Sequence, residues 1–276
     1  MQKNADTEHC AVQVRKYDYE RYFSALLVPS EVRRGLFALY AFNIELASIR
    51  ERVTENLLGE IRLEWWRNNI KEIYAGNVRN HSVTVELAHT IEHFNIELSF
   101  FERLISARVF DMNDEPPEDL NALENYVTMT SGELMVCSCI IAGASVGKDT
   151  ALAMGRYWGL TGIIRSIQFH ATMGRVYLPK DLMREAGLGS HQVVENCFSS
   201  RVDIVVGRLA ERLIKYEKDL PVIDKNSRPP FAYLSIARHY LRRLRKASFK
   251  RDGRSPELSQ FMKQLVILKT AINGKL

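Results

Sequence analysis

The sequence predicts an all-α single domain, and three observations carry the prediction. Apolar residues recur at three- and four-residue spacing along nearly the whole chain, and no segment sustains the two-residue alternation of a strand. The 276 residues, 46% hydrophobic and 26% charged, suit one large core or two small ones. No internal repeat, low-complexity tract or linker divides them, and the polar stretch 219–230 reads as a loop within one domain spanning 1–276.

Residues 1–16 are expected to be a flexible N-terminal tail. Pro29 and Ser30, a good cap, introduce a helix marked by Leu36, Leu39, Tyr40 and Asn43. Ile61, Trp65, Ile70 and Ile73 mark a second, ending at Gly76, in which Trp65 and Trp66 read as core. Val85, Ala88, Ile91 and Phe94 mark a third, and Phe100, Leu104 and Ala107 a fourth, before the break at 114–117. The segments 120–142 and 150–169 are expected as long inner helices. Those at 202–216, 231–249 and 255–272 are expected to close the bundle.

No run approaches the roughly 18 uninterrupted apolar residues of a membrane span. The N-terminus lacks a basic-then-apolar signal pattern, and Cys10, Cys137, Cys139 and Cys197 have no framework-like spacing, so they read as reduced thiols. These features point to a bacterial cytoplasm, or to an organelle matrix after removal of a presequence.

Four ordered motifs then carry a family resemblance. Gly159–Pro179 reads G-L-T-G-I-I-R-S-I-Q-F-H-A-T-M-G-R-V-Y-L-P. It resembles the second substrate motif of the squalene/phytoene synthases, Q-L-T-N-I-L-R-D-x-x-x-D-x-x-x-G-R-x-Y-L-P. Arg165, Gly174, Arg175, Tyr177 and Pro179 match, whereas the aspartate positions hold Ser166 and His170 and the glutamine and asparagine positions hold Gly159 and Gly162. Upstream, Leu39–Glu51 resembles the first motif, Y-A-F/W-C-R-x-x-D-D-x-x-D, with Ala47 and Ser48 at the paired acids and Glu51 at the last. Arg62–Gly76 is similar to the family's R-L-x-W-W-R…Y-A-G helix, and Tyr126 and Gly132 remain of its third signature.

The resemblance implies an isoprenoid-synthase-type helical bundle around a central cavity, joining two prenyl diphosphates head to head. In such enzymes Mg²⁺ held between aspartates and diphosphate oxygens stabilises the leaving charge. Acids four apart share one helix face, so two facing helices can cage the metal. Ala47, Ser48, Ser166 and His170 cannot rebuild a cage for a cation that wants oxygen ligands. No cofactor is therefore expected, and Mg²⁺ only if the site is active. The resemblance places Arg165 and Arg175 beside the diphosphate, where guanidinium forks suit phosphate oxygens. By the same resemblance Tyr177, Tyr22, Ser24 and Arg33 are further substrate contacts.

Smaller patterns read more plainly as structure. His89-x-x-Glu92-His93 matches an inverted zinc-peptidase spacing, but an exposed helix face opposite Leu87, Ile91 and Phe94 explains it. Gly143–Thr150 is one residue short of a phosphate loop and follows a helix, so it is expected to be a turn. Cys137-x-Cys139 lacks a second ligand pair and reads as packing. His170 is expected to be an interior polar group, and Glu51 to pair with Arg50, Arg52 or Arg165. The basic run 238–254 carries a cationic side and an apolar side, which suits either a solvated face or contact with anionic lipid or an acidic protein. No nucleic-acid reading module accompanies it.

Three functions remain open at this stage. The first is a prenyltransferase acting on prenyl diphosphates. The second is a non-catalytic binder of an isoprenoid lipid or phosphate. The third is suggested by Phe42-Asn43-x-Glu45 and the acid-poor second motif, which resemble a branch that includes an assembly factor of mitochondrial respiratory complex I. It implies respiratory-complex subunits as partners and a matrix-side location if the host is eukaryotic. Peripheral attachment to a membrane is compatible with all three.

Overall fold

The computed structural model describes residues 2–220, 222–251 and 257–273, and among these there are helices and no strands. In chain order the helices are α1 (Gln2–Tyr17), α2 (Tyr19–Ala25), α3 (Ser30–Ala47), α4 (Asn56–Tyr74), α5 (Ser82–Phe94) and α6 (Leu98–Ala107). Then come α7 (Leu120–Val127), α8 (Glu133–Ala142), α9 (Lys148–Arg165), α10 (Ile167–Thr172), α11 (Lys180–Glu185), α12 (Ser190–Glu195), α13 (Ser200–Asp219), α14 (Leu234–Lys246) and α15 (Gln260–Asn273).

The segment 1–16, expected as a flexible tail, is helical from Gln2. Cys10 and Val14, one helical turn apart, are buried and pack α1 onto α3 and α5. The inner segment 120–142 is helical throughout but not uniformly α: a π turn, Thr128–Gly132, joins α7 to α8. The 150–169 segment breaks at Ser166, which leaves the helical region (ψ 5°), and α10 starts afresh at Ile167. The last expected helix begins only at Gln260, and its predicted start at 255 and 256 lies outside the described residues, as does Arg254 of the basic run. Gly143–Gly147 is a turn between α8 and α9, as the sequence suggests.

A helix that is apolar nearly all round needs cover on more than one side. α8 is such a helix; it lies between two hydrophobic clusters and leaves Ile140 exposed. Leu134, Cys137 and Ile141 join α1 and α3–α6 on one side, while Met135 and Cys139 join α9, α13, α14 and α15 on the other. The two cysteines therefore face different cores and form no ligand pair. The tryptophans divide similarly: Trp66 is buried edge-on against Phe42, whereas Trp65, expected in the core, is 38% exposed beside Arg79. Adjacent positions on a helix point about 100° apart, so on this helix, covered on one side, Trp66 faces inward and Trp65 lies at the edge.

The π turn sits directly on α9 because α9 offers glycines there. A Cβ on Gly155 would lie 2.5 Å from the Cα of Gly132 and overlap the Ser131 carbonyl; one on Gly159 would lie 2.9 Å from the Ser131 hydroxyl. Backbone cannot yield as a flexible side-chain end can, and overpacking of this kind costs about 1–3 kcal/mol. Gly155→Ala is expected to lower stability by that amount in urea unfolding, while Gly162→Ala, with open space around its Cβ, is expected to be tolerated far better there. Equal losses at both positions would contradict the close-approach account.

Candidate functional site

The two motif segments meet across a cavity of about 300 Å³ at the seam between the two cores. α3 contributes Asn43 and Ala47, and exposed Glu51 follows from the short turn after it; α9 and α10 contribute Gly159, Gly162, Ser166 and His170 opposite. Gly174 (φ 71°) reverses the chain after α10, the Arg175 N–H bonds the His170 carbonyl at 2.8 Å, and Arg175 and Tyr177 fold back onto the cavity wall.

A buried acid that no motif announced lies at the centre. The Asp111 carboxylate accepts from the Tyr126 hydroxyl at 2.6 Å, the Tyr177 hydroxyl at 3.0 Å and Arg108 Nη1 at 3.1 Å. Arg108 also donates to Asn43 Oδ1 at 3.0 Å. Burial and the neighbouring Asp111 push both tyrosines well above their ordinary range, so their hydroxyls stay protonated and donate. His170 packs 4.6 Å from the Tyr177 ring, and burial, with Arg175 adding to it against Asp111, pushes its pKa down to about 4. It is neutral at pH 7, with a buried Nδ1 that has no hydrogen-bond partner among the described residues. Arg175 reaches across the seam to the Arg50 carbonyl at 3.0 Å.

Other residues expected at the site are elsewhere. Arg165 does not line the cavity; it is held by Glu20 at 2.7 Å and by Glu257, and Lys263 bonds the same two acids at 2.8 Å. Tyr22 stacks on Phe37, Ser24 is buried outside the cavity, and Arg33 donates to the Val28 carbonyl on another face. The Ser48 hydroxyl turns back to the Ile44 carbonyl at 2.8 Å. Glu51 pairs with none of its expected partners, because Arg50 binds Asp114, Arg52 binds Glu45 and Arg165 is taken.

The donors present do not fit a magnesium cluster. Ala47 has none, Ser48 is turned away, Ser166 and His170 are neutral and both Asp111 oxygens are engaged, which leaves the single carboxylate of Glu51, too few for such a cluster. Among the described residues no group of three His, Cys, Asp or Glu converges on a metal position. The 89–93 pattern is no exception: His89 and His93 stack at 5.8 Å with the Arg34 guanidinium 3.2 Å from His89.

A larger cleft, about 720 Å³, lies beyond Phe110 and Tyr126 between α4, α6 and α7, and contains Arg67 and Arg103 but none of the second motif's residues.

Comparison with known proteins places this geometry. Residues 14–261 match the squalene/phytoene synthase family. The chain belongs to the squalene/phytoene synthase family. Within the fold of this family, similar solved structures include a dehydrosqualene synthase (TM-score 0.82, 19% identity, 97% of this chain and 96% of that one). A squalene synthase from Alicyclobacillus acidocaldarius follows (0.69, 17%, 90% and 96%). Family relatives in sequence include the NADH dehydrogenase (ubiquinone) complex I assembly factor 6 of Bos taurus, 27% identical over 87% of this chain and 74% of that protein. The chloroplastic phytoene synthase 1 of Zea mays is 24% identical over 85% and 60%.

Proposed function

We propose that this family member has given up the synthase reaction and serves in assembly of respiratory NADH dehydrogenase, complex I. One observation carries the reading: where the two motif helices meet, Arg108, Asp111, Tyr126 and Tyr177 bond to one another, and Glu51 is a lone carboxylate with no second motif acid to share Mg²⁺. A departing diphosphate would meet a neutral histidine and a serine at the positions of the second motif's aspartates. The similarity to complex I assembly factor 6 from several animals supports the same reading. In this role the scaffold supplies surfaces for protein subunits, and the cavity is a structural centre.

Deleting the chain in its native host is expected to lower assembled complex I on native gels while leaving the other respiratory enzymes in place. Purified protein with Mg²⁺ and farnesyl or geranylgeranyl diphosphate is expected to yield no C30 or C40 product. Normal complex I in the deletion strain would sink the assembly role. Synthase turnover would sink the loss of chemistry.

A further inference from the structure

The outer face of α15 is apolar where a surface helix is ordinarily polar. Ile267, Thr270 and Ala271 bury its inner side, and the helix packs on α2, α14 and the turn Pro229–Phe231. On the opposite side Phe261, Leu265, Leu268 and Ile272 follow at i, i+4, i+7 and i+11, which is one helix face. Phe261 is 66%, Leu265 44% and Ile272 56% exposed. At 1.5 Å per residue the stripe is about 16 Å long.

Cations flank this stripe. Arg242, Arg243 and Lys246 of α14 and Lys269 of α15 are exposed. Among the described residues Arg242, Lys246 and Lys269 have no acidic partner within ion-pair distance, while nearby acids are already paired, Glu217 with Arg238 and Glu257 with Arg165 and Lys263. That the two helices bring their charges to one corner is visible at His239, where burial and then Arg242, Arg238 and Lys269 disfavour the protonated ring.

We propose that the α14–α15 face docks this protein on an anionic lipid bilayer, with the α15 stripe entering the headgroup boundary and Arg242, Lys246 and Lys269 meeting lipid phosphates. An apolar stripe beside a cationic ridge is the pattern of a helix lying in the plane of a membrane interface. A second copy is the poorer occupant, since a two-fold contact sets the same patch against itself and brings like charges together. Among the described residues no helix is long and apolar enough to cross a membrane. This inference does not depend on the role in complex I assembly.

The full chain should be sedimented with vesicles of phosphatidylcholine alone and of phosphatidylcholine mixed with phosphatidylglycerol. Binding is expected to be at least ~10-fold tighter on the anionic vesicles, and to fall about 10-fold in Leu265→Asp and in Arg242→Glu/Lys246→Glu. These side chains are exposed, so both variants are expected to keep the parent's thermal midpoint. Absent binding, equal binding to both vesicles, or undiminished binding by folded variants would overturn the proposal. So would a dimer that Leu265→Asp dissociates in a chain that ignores vesicles.

Discussion

Arg108→Met is expected to lower stability by about 3–5 kcal/mol, the usual cost of removing one partner from a buried ion pair. The Arg108 and Asp111 side chains are only 11% and 5% exposed, and the guanidinium also serves Asn43 and the Tyr126 hydroxyl. Without it, Asp111 keeps two tyrosine donors but no counter-charge. For a chain of this size the loss should appear as a fall of roughly 10 °C in the thermal midpoint. The double variant Arg108→Met/Asp111→Asn is expected to recover much of it, because the stranded charge is gone. If single and double variants were equally destabilised, the loss would belong to packing and the charge network would not hold the centre.

Acid is expected to weaken the protein through Glu20. Burial alone would raise its pKa above the ordinary 4.5, but Arg165 and Lys263 outweigh burial and bring it to about 2. A depressed folded-state pKa means the carboxylate stabilises the fold fully above pH 4.5, and the contribution disappears as the pH falls through 4.5 toward 2. The difference corresponds to about 3 kcal/mol. Glu20→Gln should lose a similar amount at pH 7, and its stability should fall less steeply than the parent's between pH 5 and pH 2. Parallel pH profiles in urea unfolding would show that the α2–α9–α15 tie contributes nothing specific.

Helical periodicity made much of this architecture legible, since α3, α5, α6 and α13 follow their apolar spacing, and ordered motifs found the family. The position of α1 was not legible, because Cys10 and Val14 are a thin apolar signal in a polar segment and only α3 and α5 reveal what they pack on. At the site, motif register singled out Ala47, Glu51, Ser166, His170, Arg175 and Tyr177, and these line one cavity. Arg165, singled out with them, lies outside that lining, tied to acids 145 residues before it and 92 after it that its motif could not reveal. Asp111 and Arg108 escaped notice for a related reason. They sit in the short turn Arg108–Met112, which has no signature, and acquire meaning only when Asn43 and Tyr177, 65 and 66 residues away, fold against them. Motifs mark the positions they span, whereas Arg108 and Asp111 lie between motifs, so no pattern could have singled them out.

The seam between the two apolar clusters is bridged by Tyr177 on Asp111, Arg175 on the Arg50 carbonyl, and Glu20 on Arg165. These are bonds the chain makes with itself. A fold fastened this way holds its halves in register whether or not a guest enters, so shape is uncoupled from occupancy. If the proposed role holds, substitutions around the vestibule would leave these ties, and the outline they fix, intact.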